Sequence, residues 1–183
     1  MRYYTVFNVE QCEGLSLKGE EPIQDTEFQP YELAERILSL PTVKYGGDRA
    51  YYDPVRDWIV LPPREAFRSS DVFYSVALHE TTHWTGHETR LARQFGQRFG
   101  DLAYAFEELV AEMGSAFLCA QVGVGLDGLQ HPEYVASWLR VLKGDKRAIF
   151  TAAREAQKAS DWLLERVQRS FRNEAGVAAE IAA

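Results

Sequence analysis

A chain of 183 residues with a net charge of -7 and 46% hydrophobic residues is long enough for one solid core, burying about 70% of the surface its unfolded form exposes. No apolar run reaches the roughly 18 residues of a membrane-crossing helix, and residues 1–13 are too polar for a signal peptide. Cys12 and Cys119 stand alone, which excludes a disulfide scaffold, a cysteine zinc site and the P-C-x-x-C half of a zinc nucleobase deaminase.

Residues 3–9 have strand character, and Pro30 opens a helix to about residue 40 carried by Leu33, Ile37 and Leu38. Strands are predicted at 42–45 and 49–52, flanking Gly46-Gly47-Asp48 as a hairpin. Asp53-Pro54 then turns the chain into a strand at 57–61 that ends at Pro62-Pro63. Residues 58–61 are the candidate edge onto which an extended peptide adds by main-chain hydrogen bonds.

A helix over 70–85 follows. Ser69, Ser70 and Asp71 offer caps, Val72, Phe73, Val76 and Ala77 form an apolar stripe, and Gly86 is placed to end the helix in a left-handed conformation. Its last turns hold His79-Glu80-Thr81-Thr82-His83. Two imidazoles four residues apart project from one helical face and can grip one ion, with the intervening Glu80 placed to act on water. A buried helix with two hydrogen-bonded histidines would leave that glutamate unexplained.

A catalytic zinc site normally has three protein ligands, so a third is sought downstream among His87, Glu88, Asp101, Glu107, Glu108, Glu112 and His131. The extended pattern with a third histidine six residues after the second fails, because position 89 is Thr89, and the only methionines, Met1 and Met113, give no methionine turn. A helix over 104–122 carries Phe106, Leu109, Val110, Met113 and Phe117 at helical period, and Glu108, Glu112, Ser115 and Cys119 on another narrow stripe. Glu108 is the expected ligand and Glu112 the acid that orients a ligating histidine, although the reverse assignment fits the same stripe. Glu107 points about 100° away around the helix and is the weakest of the three.

Helices over 132–142 and 146–171 complete the chain, and residues 173–183 are expected to fray. His131, Tyr51, Tyr52, Tyr74 and Tyr104 are candidates for stabilising an oxyanion, and each is equally a packing residue. Residues 140–172 carry nine Lys or Arg against four acids, so the acidic excess lies elsewhere. Charges spread in this way are those of solvated helix faces, and the acidic whole argues against broad phosphate-backbone binding.

The runs YYTVFNVEQ (3–11), LHETTHWTGH (78–87), FEELVAEMGSAFL (106–118) and YVASWLRVLKGDKRAIFTAA (134–153) resemble the C-terminal zincin-like metallopeptidase domain of ArdC-type antirestriction proteins, found also in TraC-type primases and in polyvalent proteins of phages and conjugative elements. The likeness covers residues 3–165. It implies an α+β zincin-like fold, a small and mostly antiparallel sheet followed by a helical half, as one domain over 1–172. It implies Zn²⁺ or another divalent metal held by His79, His83 and a glutamate of the EELVAE run, with Glu80 as catalytic acid and base. A peptide or protein substrate and a cytoplasmic setting without membrane contact follow, with nucleic acid reached through an N-terminal single-stranded-DNA-binding domain of the larger members. The competing expectation is an interaction module with a structural metal, binding DNA or a host protein.

Overall fold

The computed structural model describes residues 28–93, 102–125, 138–139 and 141–181, with side chains as far as Arg172. The expected strand at 3–9 and most of the helix expected over 132–142 lie outside what is described, as do residues 182 and 183 of the tail. The elements run α1 (Glu32–Leu38), β1 (Thr42–Tyr45), β2 (Tyr51–Asp53), β3 (Trp58–Leu61), α2 (Ser70–Thr85), α3 (Leu102–Val122) and α4 (Ala148–Ile181). Residues 138–139 and 141–144 are also helical, and α4 runs beyond the end near 171 that its apolar pattern predicts. No helix of the described residues is long and apolar enough to cross a membrane.

The architecture is α+β, with a small sheet preceding the helical half, but the strand order is β1-β3-β2. β1 pairs with β3 in parallel, Thr42 opposite Trp58, while β2 pairs with β3 antiparallel, Tyr52 opposite Ile59. The hairpin expected across Gly46-Gly47-Asp48 therefore does not form. The sheet is mixed among the described residues, rather than mostly antiparallel. Its hairpin is β2–β3, closed where Asp53 Oδ1 accepts from the backbone N–H groups of Val55 and Arg56, each at 3.0 Å, and where Asp57 adopts φ +54°. The physical reason is burial. β3 alone alternates fully buried Ile59 and Leu61 with half-buried partners, so it takes the centre, where both of its edges are paired, and the exposed Thr42, Lys44 and Tyr45 of β1 suit an edge. Trp58–Leu61 is thus not the edge strand expected; β2 is an edge among the described residues.

Helix α2 starts where Ser69 Oγ accepts from the Val72 N–H at 3.3 Å. Gly86 ends it, but with φ -77° and no left-handed turn. The C-terminal carbonyls are met from the following loop instead: the Arg93 N–H donates to Gly86 O at 2.9 Å, and Arg93 Nη2 to Thr82 O at 2.6 Å. A cation there also complements the helix dipole.

Instead of presenting one apolar stripe, α2 is buried on nearly every side from Phe73 to Thr85. Its polar groups survive this because Thr81, Thr82 and Thr85 each donate a hydroxyl to a carbonyl of the same helix, those of Ala77, Leu78 and Thr82. The main core joins α2 to the sheet, α1, α3 and α4 through Ile37, Ile59, Leu61, Phe73, Leu78, Leu118 and Leu163. A second cluster, Leu109, Val110, Ala152 and Ala156, fixes α3 on α4. Gly114 lets α3 approach α2 closely, since a Cβ there would lie 2.5 Å from Thr82 Cγ2.

Candidate metal centre

That close approach sets the stripe of α3 against α2. Ser115 Oγ donates to Ser75 O at 2.8 Å, and Cys119 lies in the core, where burial pushes its thiol up to about 11. One and two turns earlier the same stripe carries Glu112 and Glu108 over the two histidines.

His79 Nε2 and His83 Nε2 lie 3.1 Å apart. Glu108 faces both, Oε2 at 3.5 Å from His79 Nε2 and Oε1 at 3.6 Å from His83 Nε2. These three residues are buried, and each offers a donor atom within 4.8 Å of the others, a group able to hold a metal ion. Their outer nitrogens meet two further carboxylates: His79 Nδ1 is 3.6 Å from Glu112 Oε1, and His83 Nδ1 is 3.2 Å from Glu107 Oε1.

Glu107, the weakest candidate from sequence, is therefore drawn into the site on the other histidine. It is held there by Arg93, whose Nε and Nη2 donate to its two oxygens at 3.0 and 2.8 Å. Sequence reasoning missed Arg93 altogether. The signal was weak, a lone arginine beyond a helix end, and its reach back to α3 is tertiary. Of the other candidates, His87 bonds Thr89 through Nδ1 at 2.9 Å in the loop after α2, and Glu88 is exposed. Asp101 and His131 lie outside the described residues.

The electrostatics favour a cation at the centre. Burial by itself would lower the His83 pKa, but hydrogen bonds to Glu107 and Glu108 outweigh it and push the pKa up to about 10. Burial likewise works against a charged Glu108, yet its contacts with His79 and His83 hold it well below the usual carboxylate range. Glu108 Oε2 is buried with no hydrogen-bond partner among the described residues, an acceptor that a cation would satisfy. Two imidazoles and a carboxylate are also the donor set of a zinc site, so the residues present fit such an ion.

His79, His83, Glu107 and Glu108 line a cavity of about 560 Å³ together with Glu80, Tyr104, Pro54 and the segment Arg49-Ala50-Tyr51-Tyr52. Helices α2 and α3 form one wall, and the chain entering β2 forms the other. Among the tyrosines considered, Tyr51, Tyr52 and Tyr104 line this cleft, whereas Tyr74 is fully buried in the core and donates to Glu35. The Tyr52 hydroxyl is committed to Asp57 Oδ1 at 2.8 Å, beside Arg90, which also pairs with Asp57. Tyr104 precedes Glu108 by one turn of α3.

A family model described as zincin-like metallopeptidase matches residues 34–155, from α1 into α4. The chain belongs to that family. Two DNA primases TraC of Escherichia coli are 43% identical over 165 residues and 41% identical over 177, the matches spanning 88% and 94% of this chain but 11% and 16% of the primases. An uncharacterized protein of Sinorhizobium fredii, y4eC, is 40% identical over 94% of this chain and 57% of its own length. Among solved structures, the Mn(II)-bound antirestriction protein ArdC from the R388 plasmid superposes with a TM-score of 0.64 at 44% identity, over 75% of this chain and 51% of ArdC. Its metal-free form gives 0.65 at 42% identity, over 91% of this chain and 61% of ArdC. This chain thus corresponds to a part of each of these relatives, and to a small part of the primases.

Proposed function

We propose that this zincin-like domain is a metal-dependent hydrolase of peptide bonds, serving an antirestriction or conjugation protein of a mobile element. One observation carries the reading: His79, His83 and Glu108 converge on one point, and Glu80, 9% exposed, lines the same open cavity. His79 and His83 would offer Nε2 to the ion and Glu108 a carboxylate oxygen. Glu112 and Glu107 would accept from the Nδ1 atoms, fixing the tautomer that leaves each Nε2 lone pair free for the ion. Zn²⁺ suits two imidazoles and a carboxylate, while the Mn(II)-bound relative supports tolerance of other divalent ions.

When bound, the ion supplies Lewis-acid polarisation and lowers the pKa of water toward about 7. Glu80 takes the proton as the water attacks the carbonyl, then hands it to the leaving amine. The substrate lies between the α2–α3 wall and β2, and β2 takes the role of peptide platform that the sequence suggested for β3. An interaction module with a purely structural metal would need neither Glu80 nor an open cavity beside the ligands. Nucleic acid, in this reading, is met by other parts of the parent protein.

Digestion of an unbiased peptide library by metal-loaded protein tests the proposal. Wild type should cut a defined subset, and Glu80→Gln should keep its metal while losing turnover by at least about 100-fold. Equal cleavage by the two proteins would end the general-base assignment.

A further inference from the structure

Among the described residues, Arg49 is the one arginine or lysine lining the cleft. Of the acids there, Glu107 is clamped by Arg93 and Glu108 faces the two histidines, while Glu80 is the proposed general base. Arg49 is exposed and makes no hydrogen bond or ion pair with any described residue. It sits two residues before β2, on the wall opposite the carboxylates of α2 and α3. Gly47, with φ +70°, turns the chain just ahead of it. An exposed guanidinium lining a partly apolar cleft, across from buried acids it does not pair with, presents its fork of donors to whatever enters.

We infer that Arg49 is a specificity-determining residue that binds a carboxylate of the substrate, so that the cleft selects acidic peptides. This rests on the peptide-hydrolase reading for the bond that is cut, but not for the group that is bound. A cavity of 560 Å³ is, as a sphere, about 10 Å across, the span of roughly three residues of extended chain. The recognised carboxylate therefore lies within about three residues of the scissile bond. It belongs either to an Asp or Glu side chain or to the free C-terminus of the peptide.

The test separates binding from turnover. The full chain carrying Glu80→Gln, loaded with zinc, is used to capture peptides from a random-sequence library, prepared once with free and once with amidated C-termini. Captured peptides should be enriched in Asp and Glu at one fixed position, or captured only with free C-termini. Adding Arg49→Glu should abolish that preference, shift it toward Lys and Arg, and weaken binding of the selected peptides about 10- to 100-fold, with metal content unchanged; Arg49→Lys should retain part of it. Capture without acidic enrichment, capture that Arg49→Glu leaves as it was, or no capture at all would overturn the inference. Acidic capture by the Glu80→Gln protein, with no cleavage by wild type, would overturn the hydrolase reading and leave the role of Arg49 standing.

Discussion

His83 Nδ1 lies 3.2 Å from Glu107 Oε1, and Arg93 grips the same carboxylate from the far side. The chain Arg93–Glu107–His83 runs from the loop after α2, through α3, back to the helix that carries the histidines. It orients one imidazole while closing the end of its helix. Removing Arg93 or Glu107 should loosen the site without removing a ligand. Arg93→Ala and Glu107→Gln are each expected to weaken zinc binding about 10- to 100-fold, measured by competition with a chelating dye, while the α-helical circular dichroism is retained.

Glu112 stands in the same relation to His79, at 3.6 Å, so the α3 stripe read from the sequence is the face that meets α2. It was legible because a helix repeats at a fixed angle, and Glu108, Glu112, Ser115 and Cys119 share one side at any rotation. Glu107 and Arg93 were not legible. One lies off the stripe, and the other acts across a loop whose path local rules do not fix. The sheet failed for a similar reason. Gly46-Gly47-Asp48 has turn chemistry, but the apolar β3 outcompetes β2 for the place beside β1. Helix α2 shows the converse: its capping serine and extent follow local rules, whereas its burial on all sides depends on threonine hydroxyls returning to their own helix.

Metal and stability should be coupled, because ligands on two helices tie α2 to α3. Zinc at about 100 times its dissociation constant should stabilise the fold by about 2.7 kcal/mol, and stripping the protein with a chelator should lower Tm by roughly 5 to 10 °C. His83→Ala should show a low Tm that neither zinc nor chelator changes, read by calorimetry.

Close packing of α2 on α3 makes Gly114 intolerant. Gly114→Ala would gain about 1 kcal/mol of helix propensity, but the added Cβ meets Thr82 Cγ2 at 2.5 Å, and overpacking of this kind costs about 1 to 3 kcal/mol. Net destabilisation of up to about 2 kcal/mol is expected by urea titration. Thr82→Ser removes Cγ2 but keeps the hydroxyl oxygen, which the new Cβ would meet at 2.9 Å, so the double variant should recover part of the loss.

Asp57 should contribute a pH-dependent part of the stability. Its hydrogen bond with Arg90, opposed by partial burial and aided by the Tyr52 hydroxyl, holds its carboxyl below the usual range. A carboxylate lowered in the folded state stabilises above its unfolded pKa of about 3.9 and loses that contribution as pH falls through the folded value. Asp57→Asn should therefore melt below wild type at pH 7. The gap should narrow as the pH is taken below about 4, in parallel melts.

Where an ion binds decides whether α2 and α3 together form a metal centre. Crystals grown with zinc and measured on both sides of its absorption edge should give one strong anomalous peak bounded by His79 Nε2, His83 Nε2 and a Glu108 oxygen, at about 2.0 to 2.2 Å from each, with the open side toward Glu80. A peak elsewhere, or one closed by four protein donors with Glu80 excluded from the ion's surroundings, would contradict that placement.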